Sequence, residues 1–388
     1  MQKYFVNFSI VVFSLVLSLC LLEFVAFIYI EHLADQDNFY KYASVEQRKK
    51  RESESYASMH RYLGYIPTPN YKKGKNKHNS LGIRGDEILL PKPKEEYRII
   101  CVGGSTTYTS KVEDYKFSYP DLLEERLHKM GFTNVNVINA GVFSYTSYET
   151  LINLQLRLLD LKPDLIIIYH GVNDVHARLV YPTEAYKGDN SGYRQSIYEQ
   201  NLEHGNSFWT SFNLGRIVKA HLTTHQSNYN KRERFGIAPT AKFYELRYQR
   251  GMKTYPDGIF KETSVEEILR INTPKYFKRN LEYMIAAARD NEVSILLSTF
   301  AFCPDTIKPS TYGFRPLKEA IEEHNQIIET ISVEKAVPLI DLATLFPKDT
   351  SLYVDDIHVN QKGSELKAIL FGEYLKSNQG LFNLRIEN

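Results

Sequence analysis

The chain has 388 residues, of which 43% are hydrophobic and 24% charged, so its composition excludes a mainly disordered protein. The formal net charge of +2 gives no electrostatic reason to expect nucleic acid as a partner. Cys20, Cys101 and Cys303 lie far apart in the sequence. This spacing fits neither a disulfide framework nor a metal-binding motif, and we expect no cofactor and no metal.

The segment 4–30 is almost continuously apolar and predicts a transmembrane anchor. As a helix it would be about 40 Å long at roughly 1.5 Å per residue, enough to cross a bilayer with tilt. The competing interpretation is a cleaved signal peptide, but its apolar region is usually shorter and ends at small residues. Glu23 is unusual in such a helix, because a central acid costs roughly 2.5–3.5 kcal/mol.

The flanking charges predict the orientation of this anchor. Lys3 precedes the apolar segment, and Glu31 and Asp35 follow it, which favours a cytoplasmic N-terminus. The rest of the chain would then be periplasmic or extracellular. The basic run 48–51 opposes this orientation, because basic residues near a membrane span are enriched on the cytoplasmic side. The run lies at the limit of the distance over which this enrichment determines orientation. Residues 31–96 are mixed and polar and are interpreted as a stalk and lead-in, with an ordered segment at 79–86 packed against the main domain.

From residue 97 the pattern predicts strands that alternate with helices, as in a parallel α/β sheet. The predicted strands are 97–102, 135–139, 165–169, 293–298 and 337–341. The predicted helices are 118–130, 148–160, 276–290, 315–335 and 361–376. We therefore expect one domain over 97–376 with an insertion at 178–275, followed by a C-terminal tail at 377–388. The insertion is too long for a plain connection.

Small and polar residues follow three successive strands, and a fourth group precedes the last helix. Ser105 comes after Gly104, Gly141 ends Asn-Ala-Gly, and Asn173 stands in Gly-Val-Asn-Asp. The fourth group is Asp355-Asp-Ile-His358. Because the carboxyl ends of parallel strands meet at one edge of a sheet, these groups can converge there.

In this order the four groups resemble the Ser, Gly, Asn and His blocks of the SGNH hydrolases, also called the GDSL esterase/lipase family. The resemblance covers roughly 97–176 and 276–376. It implies a three-layer sandwich with a parallel, flavodoxin-like sheet. Gly104 departs from the family's Gly-Asp-Ser, which leaves the reaction type intact but bears on loop flexibility and substrate fit.

The chemistry of the blocks predicts a catalytic triad. A serine hydroxyl becomes a good nucleophile when a base removes its proton, so Ser105 would be the nucleophile and His358 the base. Asp355 is close enough in sequence to orient the His358 ring. The resemblance implies an oxyanion hole made by the Ser105 amide, the Gly141 amide and the Asn173 side chain. The plainer alternatives are a turn glycine at 141, a helix cap at 173 and a surface histidine at 358.

Two acids beside these blocks are expected to be structural, namely Asp356 and Asp174. The expected function is that of a membrane-anchored serine esterase that removes a short acyl group from a carbohydrate or glycoconjugate. One alternative is an O-acyltransferase, which would use the same triad. Another is a non-catalytic binding or assembly subunit. The sequence leaves the oligomeric state open, and we expect the tyrosine-rich insertion to set substrate choice.

Overall fold

The computed structural model describes residues 2–44, 46–48, 50, 55–189, 208–223, 242–243, 245–306 and 310–386. The chain divides into two compact units. The smaller comprises Met1–Ser55 and Gln195–Pro239, and the larger comprises Tyr56–Arg194 and Thr240–Asn388. The predicted insertion is therefore not one structural body, since its middle groups with the N-terminal segment and its two ends group with the larger unit.

A five-stranded parallel sheet forms the centre of the larger unit. Its strands are β1 (Tyr97–Gly103), β2 (Val135–Gly141), β3 (Leu165–Tyr169), β4 (Ser294–Ser298) and β5 (Leu339–Ile340). Their spatial order is β2-β1-β3-β4-β5, which is the flavodoxin-like order. The order reverses beside β1, and ligand sites of such sheets lie at this switch point.

Helices cover both faces of this sheet. The described α-helices of the chain are α1 (Gln2–Ile28), α2 (Gln36–Tyr42), α3 (Ser105–Tyr108), α4 (Tyr119–Lys129), α5 (Ser147–Asn153), α6 (Val172–Ala177), α7 (Asn213–Thr223), α8 (Glu245–Met252), α9 (Ile259–Glu262), α10 (Val265–Ile271), α11 (Lys275–Asp290), α12 (Arg315–Lys335), α13 (Leu342–Leu345) and α14 (Gln361–Ser377). Short 3-10 helices are Tyr115–Phe117, Leu159–Leu161, Thr183–Ala185, Phe208–Ser211, Thr350–Leu352 and Gln379–Phe382, and π-helical turns are Tyr29–Leu33 and Leu154–Leu158.

Alternate residues of β1 enter two separate cores. Ile99 and Cys101 join one core with side chains of α4 and α14, whereas Ile100 and Val102 join the other with side chains of α5 and α11. Burial on both faces explains why the strand sequence is a continuous apolar run rather than an alternating one. The predicted three-layer α/β sandwich with a parallel sheet is confirmed.

The larger unit extends beyond the predicted domain at both ends. Residues 56–96, expected to be a stalk and lead-in, form two short hairpins, Ala57–His60 with Gly64–Pro67 and Lys72–Lys73 with Asn76–Lys77. Arg84 then forms an isolated bridge to Asn139 at the end of β2. At the other end, Phe382 and Leu384 of the expected tail are buried in the core, so the tail is part of the fold.

The smaller unit is built on the N-terminal helix. Residues Lys3–Leu33 form one helix that is long and apolar enough to cross a membrane, and its apolar surface is almost entirely exposed. This finding agrees in position with the predicted anchor. By length and composition alone, such a helix also fits a signal sequence.

Candidate functional site

Ser105 lies at the point where β1 passes into α3. Strand β1 ends at Gly103, Gly104 is the N-cap residue, and Ser105 is the first residue of the helix. The Ser105 side chain is largely buried, with the residue 9% exposed. Its amide belongs to the first turn of a helix, where amide groups have no partner within the helix. The sheet thus presents a hydroxyl and an amide at its switch point.

Three side chains form a continuous relay at this point. Ser105 Oγ lies 2.8 Å from His358 Nε2, so the hydroxyl can donate to the ring. On the other side of the ring, Nδ1 lies 2.8 Å from both carboxylate oxygens of Asp355 and donates to them. The structure therefore brings together the nucleophile, base and orienting acid predicted from the sequence.

The short loop before α14 fixes both members of the pair Asp355 and His358. Asp355 Oδ1 accepts hydrogen bonds from the amides of Ile357, at 3.1 Å, and His358, at 2.8 Å. The Val354 amide donates to the His358 carbonyl at 2.8 Å and closes the loop. Burial raises the pKa of Asp355, but the hydrogen bonds from the His358 ring and the two amides outweigh it and lower the pKa to about 2. Asp355 is therefore an anion at neutral pH.

Asn173 lies directly beside the nucleophile turn. It is the second residue of α6, and its Nδ2 donates to the Tyr145 carbonyl at 2.9 Å. A Cβ atom on Gly104 would lie 2.5 Å from Asn173 Nδ2. The amide group has two N–H bonds, and only one is needed for Tyr145. A second N–H is thus available next to Ser105.

Gly141 lies at the end of the second strand, as the sequence predicts. It ends β2 opposite Gly103, and its amide donates to Asn139 Oδ1 at 3.2 Å. A Cβ atom at this position would lie 2.2 Å from the Tyr108 amide. The glycine therefore lets α3 pack closely on β2, and the oxyanion role of its amide stays a prediction.

The two neighbouring acids hold loops together, in line with the expectation that they are structural. Asp174 accepts from the Ser147 hydroxyl at 2.6 Å and from the Ser147 amide at 3.0 Å, which joins the starts of α6 and α5. Burial raises the pKa of Asp174 to about 7, against the lowering effect of these bonds. Asp356 accepts from Ser310 Oγ at 2.9 Å and from the Tyr312 amide at 3.0 Å.

Arg84 supports the helix that carries Ser105, a role that the sequence did not identify. Its guanidinium is buried and donates to the carbonyls of Tyr108, Thr109 and Val112, the last two at 3.2 and 2.7 Å. These carbonyls belong to the end of α3 and the loop that follows it. The segment 79–86 was expected to pack against the main domain, but the carbonyls that Arg84 binds could not be identified from the sequence.

Comparisons with known proteins agree with this arrangement. A model of the GDSL-like lipase/acylhydrolase family matches residues 101–366, a range that contains the whole relay. No curated protein matches the chain.

Solved structures of this kind are similar to the chain, although distantly. A lipase/acylhydrolase from Enterococcus faecalis is 18% identical over 75% of this chain and 99% of that chain, with a TM-score of 0.43. The acetyl xylan esterase Axe2 from Geobacillus stearothermophilus, solved as a variant, is 11% identical over 76% of this chain and 99% of that chain, with a TM-score of 0.40. The assignment rests on the family match, which spans more than half of the sequence and ends on the same helix that follows His358. The chain belongs to the GDSL-like lipase/acylhydrolase family.

Proposed function

We propose that this protein is a membrane-anchored serine acylhydrolase that removes a short acyl group from a carbohydrate or glycoconjugate. Membership of the family supplies the reaction class, hydrolysis of an ester bond. The observation that carries the mechanism is the relay from Ser105 through His358 to Asp355, in which the atoms lie 2.8 Å apart at each step. A protein that only bound its ligand would have no need of this alignment.

The first half of the reaction transfers the acyl group to the enzyme. His358 Nε2 takes the Ser105 proton as Oγ bonds to the acyl carbon, and the carbonyl electron pair moves to oxygen. Asp355 keeps Nδ1 protonated and stabilises the positive ring that forms. When the carbonyl reforms, the ester C–O bond breaks, and the sugar hydroxyl leaves with the proton from His358.

The second half repeats these steps with water. His358 takes a proton from water, the resulting hydroxide oxygen bonds to the acyl carbon, and Ser105 Oγ leaves with that proton. In both halves negative charge develops on the former carbonyl oxygen. The donors best placed for this charge are the Ser105 amide and the second N–H of Asn173 Nδ2.

The anchor is the second part of the proposal. The helix Lys3–Leu33 would hold the protein in the membrane with its N-terminus in the cytoplasm and its catalytic unit periplasmic or extracellular. This location is the support for a carbohydrate substrate. Stacking by Tyr255 of the insertion adds no support, because its ring packs against Phe260 and Phe314 at ring distances of 5.8 and 5.7 Å. Tyr244 and the Tyr248 side chain lie outside the described residues.

A substrate panel on the full-length protein in detergent tests the activity. We expect a fluorophosphonate probe to label the protein, and we expect free acetate to be released from acetylated sugars and from p-nitrophenyl acetate. Ser105→Ala should lose labelling and release, whereas Ser110→Ala, a nearby serine outside the relay, should retain both. Labelling without release, with the acyl group recovered on an added sugar, would establish acyl transfer instead of hydrolysis. The absence of labelling would contradict a catalytic function.

A further inference from the structure

The acidic residue within the apolar N-terminal helix has a specific partner in the smaller unit. Glu23 accepts hydrogen bonds from the Asn213 amide at 2.6 Å, the Asn213 side chain at 2.8 Å and the Leu214 amide at 2.9 Å. These donors form the start of α7, where a negative charge satisfies free amides and favours the helix dipole. Glu23 therefore fixes α7 to α1.

A second set of contacts secures the same helix. Arg216 of α7 is buried and its Nε donates to the Tyr42 carbonyl at 2.7 Å. Ala220 of α7 is buried in a small apolar cluster with Ile30 and Phe39. Removal of α1 by a signal peptidase would take away the Glu23 cap of α7.

The groove between α1 and α7, which Glu23 and Asn213 also line, is largely apolar and uncovered. Trp209 is 71% exposed and Leu222 is 81% exposed, and both line a groove of about 1060 Å³. The far wall of the groove belongs to α1 and includes Leu19, Phe24 and Phe27. Exposed apolar surface costs about 25 cal/mol per Å² in water, so such a groove calls for a covering partner.

The position of Glu23 along α1 indicates what that partner is. The uncharged stretch from Tyr4 to Leu22 rises about 28 Å at roughly 1.5 Å per residue, close to the ~30 Å hydrocarbon core of a bilayer. Glu23 would then lie at the membrane boundary, with the start of α7 and Trp209 at the same level. Tryptophan is enriched at this boundary, and amphipathic helices that lie there bury their apolar face among the lipids.

We propose that residues 208–222 form a membrane-interface element, docked on α1 through Glu23, whose groove is filled by the acyl chains of bilayer phospholipids. This inference rests on the anchor in the proposed function but not on the catalytic activity. It assigns the middle of the insertion to contact with lipid rather than with substrate.

Trp209 is the only tryptophan in the chain and reports directly on this proposal. The full-length protein would be reconstituted in vesicles of phosphatidylcholine and phosphatidylglycerol whose acyl chains carry bromine, either near the headgroup or near the chain end. We expect a blue-shifted Trp209 emission, stronger quenching by the shallow bromine than by the deep one, and little quenching by iodide in the water.

The outcomes separate the proposals. If the protein floats with the vesicles but iodide quenches Trp209 and brominated lipid does not, the interface element is wrong and the anchor stands. If the protein does not float with the vesicles, both the anchor and the interface element are wrong. The esterase activity is measured separately and is not affected by this outcome.

A pair of variants tests the docking. Glu23→Ala should at least halve the quenching by shallow bromine while the protein still floats, because the cap of α7 is lost. Ser18→Ala, another polar position on α1, should leave the quenching unchanged. Unchanged quenching in Glu23→Ala would overturn the docking through Glu23.

Discussion

Position 104 controls how close the Asn173 side chain can come to the nucleophile. The backbone at Gly104 has φ −85°, which any residue can adopt, so space rather than backbone freedom demands glycine. A Cβ atom there would lie 2.5 Å from Asn173 Nδ2. Asn173 therefore occupies the room that a side chain at 104 would need.

Replacement of Asn173 by Ala should lower kcat by about 10²–10³ with little change in KM, because one donor to the developing oxyanion is lost. Gly104→Ala should change kcat in the same direction by displacing the Asn173 amide. Steady-state kinetics on p-nitrophenyl acetate measure both. Gly380→Ala, where no atom lies within 4 Å of the added Cβ, is the matched control. A rise in KM alone for Asn173→Ala would make the residue a substrate contact.

The Ser105→Ala variant should lose turnover by on the order of 10⁴–10⁶ while it retains its fold. His358→Ala should lose nearly as much, and the double variant little more, because the two residues act as a unit. Rates at saturating ester together with circular dichroism check this prediction. Undiminished turnover in a folded Ser105→Ala variant would exclude the nucleophile assignment.

The Asp355 carboxylate should also contribute to the pH dependence of the unfolding free energy. Its folded pKa of about 2 lies below the usual ~3.9, so its hydrogen bonds stabilise the fold above pH ~4 and are lost as the pH falls through about 2. We expect Asp355→Asn to lower kcat by roughly 10⁴ and to lower the unfolding free energy at neutral pH.

Urea titrations across this pH range measure the second effect. The stability difference between the two proteins should be constant above pH ~4 and should shrink below it. A difference that grew on acidification would contradict the depressed pKa of Asp355.

At the scale of elements, the hairpins before β1 support the nucleophile helix. Arg84 reaches from this lead-in to the carbonyls that end α3, including Thr109, whose φ of 62° is in the left-handed region. These carbonyls have no partner within so short a helix. The lead-in therefore supplies hydrogen-bond donors to the carbonyls at the end of α3. In this way it helps to position Ser105 against His358.

Arg84→Lys should lower the unfolding free energy by about 1–3 kcal/mol, because an ammonium group cannot reproduce the several directed bonds of a guanidinium. It should also lower kcat with little effect on KM, since the position of the nucleophile changes and the binding surface does not. Urea unfolding and kinetics test both effects. The matched control is Arg270→Lys, an exposed arginine paired with Glu267, which we expect to leave the unfolding free energy nearly unchanged. Equal effects of the two variants would refute a positioning role for Arg84.

At the scale of the whole molecule, the insertion contributes to both units of the chain. The middle of the insertion groups with the N-terminal segment in the smaller unit. In the larger unit, Arg178 and Asn272 join the two ends of the insertion, because Arg178 Nε donates to the Asn272 carbonyl at 2.7 Å. The root of the insertion is thus closed by direct hydrogen bonds.

The anchor predicts the behaviour of the intact protein in cells. It should fractionate with membranes, resist extraction by high salt, and migrate at the mass of an uncut chain. A C-terminal reporter should be active only on the non-cytoplasmic side. A shorter, soluble form would indicate a signal peptide, and a reporter active in the cytoplasm would reverse the orientation.

The regular part of the molecule was predictable because its signals are local. Apolar runs such as Ile99–Val102 and the groups at the strand ends identify the sheet and the relay within a residue or two. The exceptions depend on contacts distant in sequence. The partners of Glu23 and Arg84 lie 190 and 28 residues away, and no periodic pattern marks the lead-in. For Gly141 the sequence does not separate a close packing contact from an oxyanion donor, because both favour glycine, and its predicted role in the oxyanion hole stays a prediction.

The nucleophile and its base are 253 residues apart, and the base lies near the end of the chain. As the ribosome produces the protein, Ser105 emerges long before His358 exists. Ser364 Oγ of α14 donates to the Phe117 carbonyl at 2.7 Å and holds α14 beside α4. This contact can form only after all strands of the sheet have been synthesised. A nascent or truncated chain therefore carries a serine without its base. Esterase activity therefore requires that the segment with Asp355 and His358 has been synthesised and has folded onto the sheet.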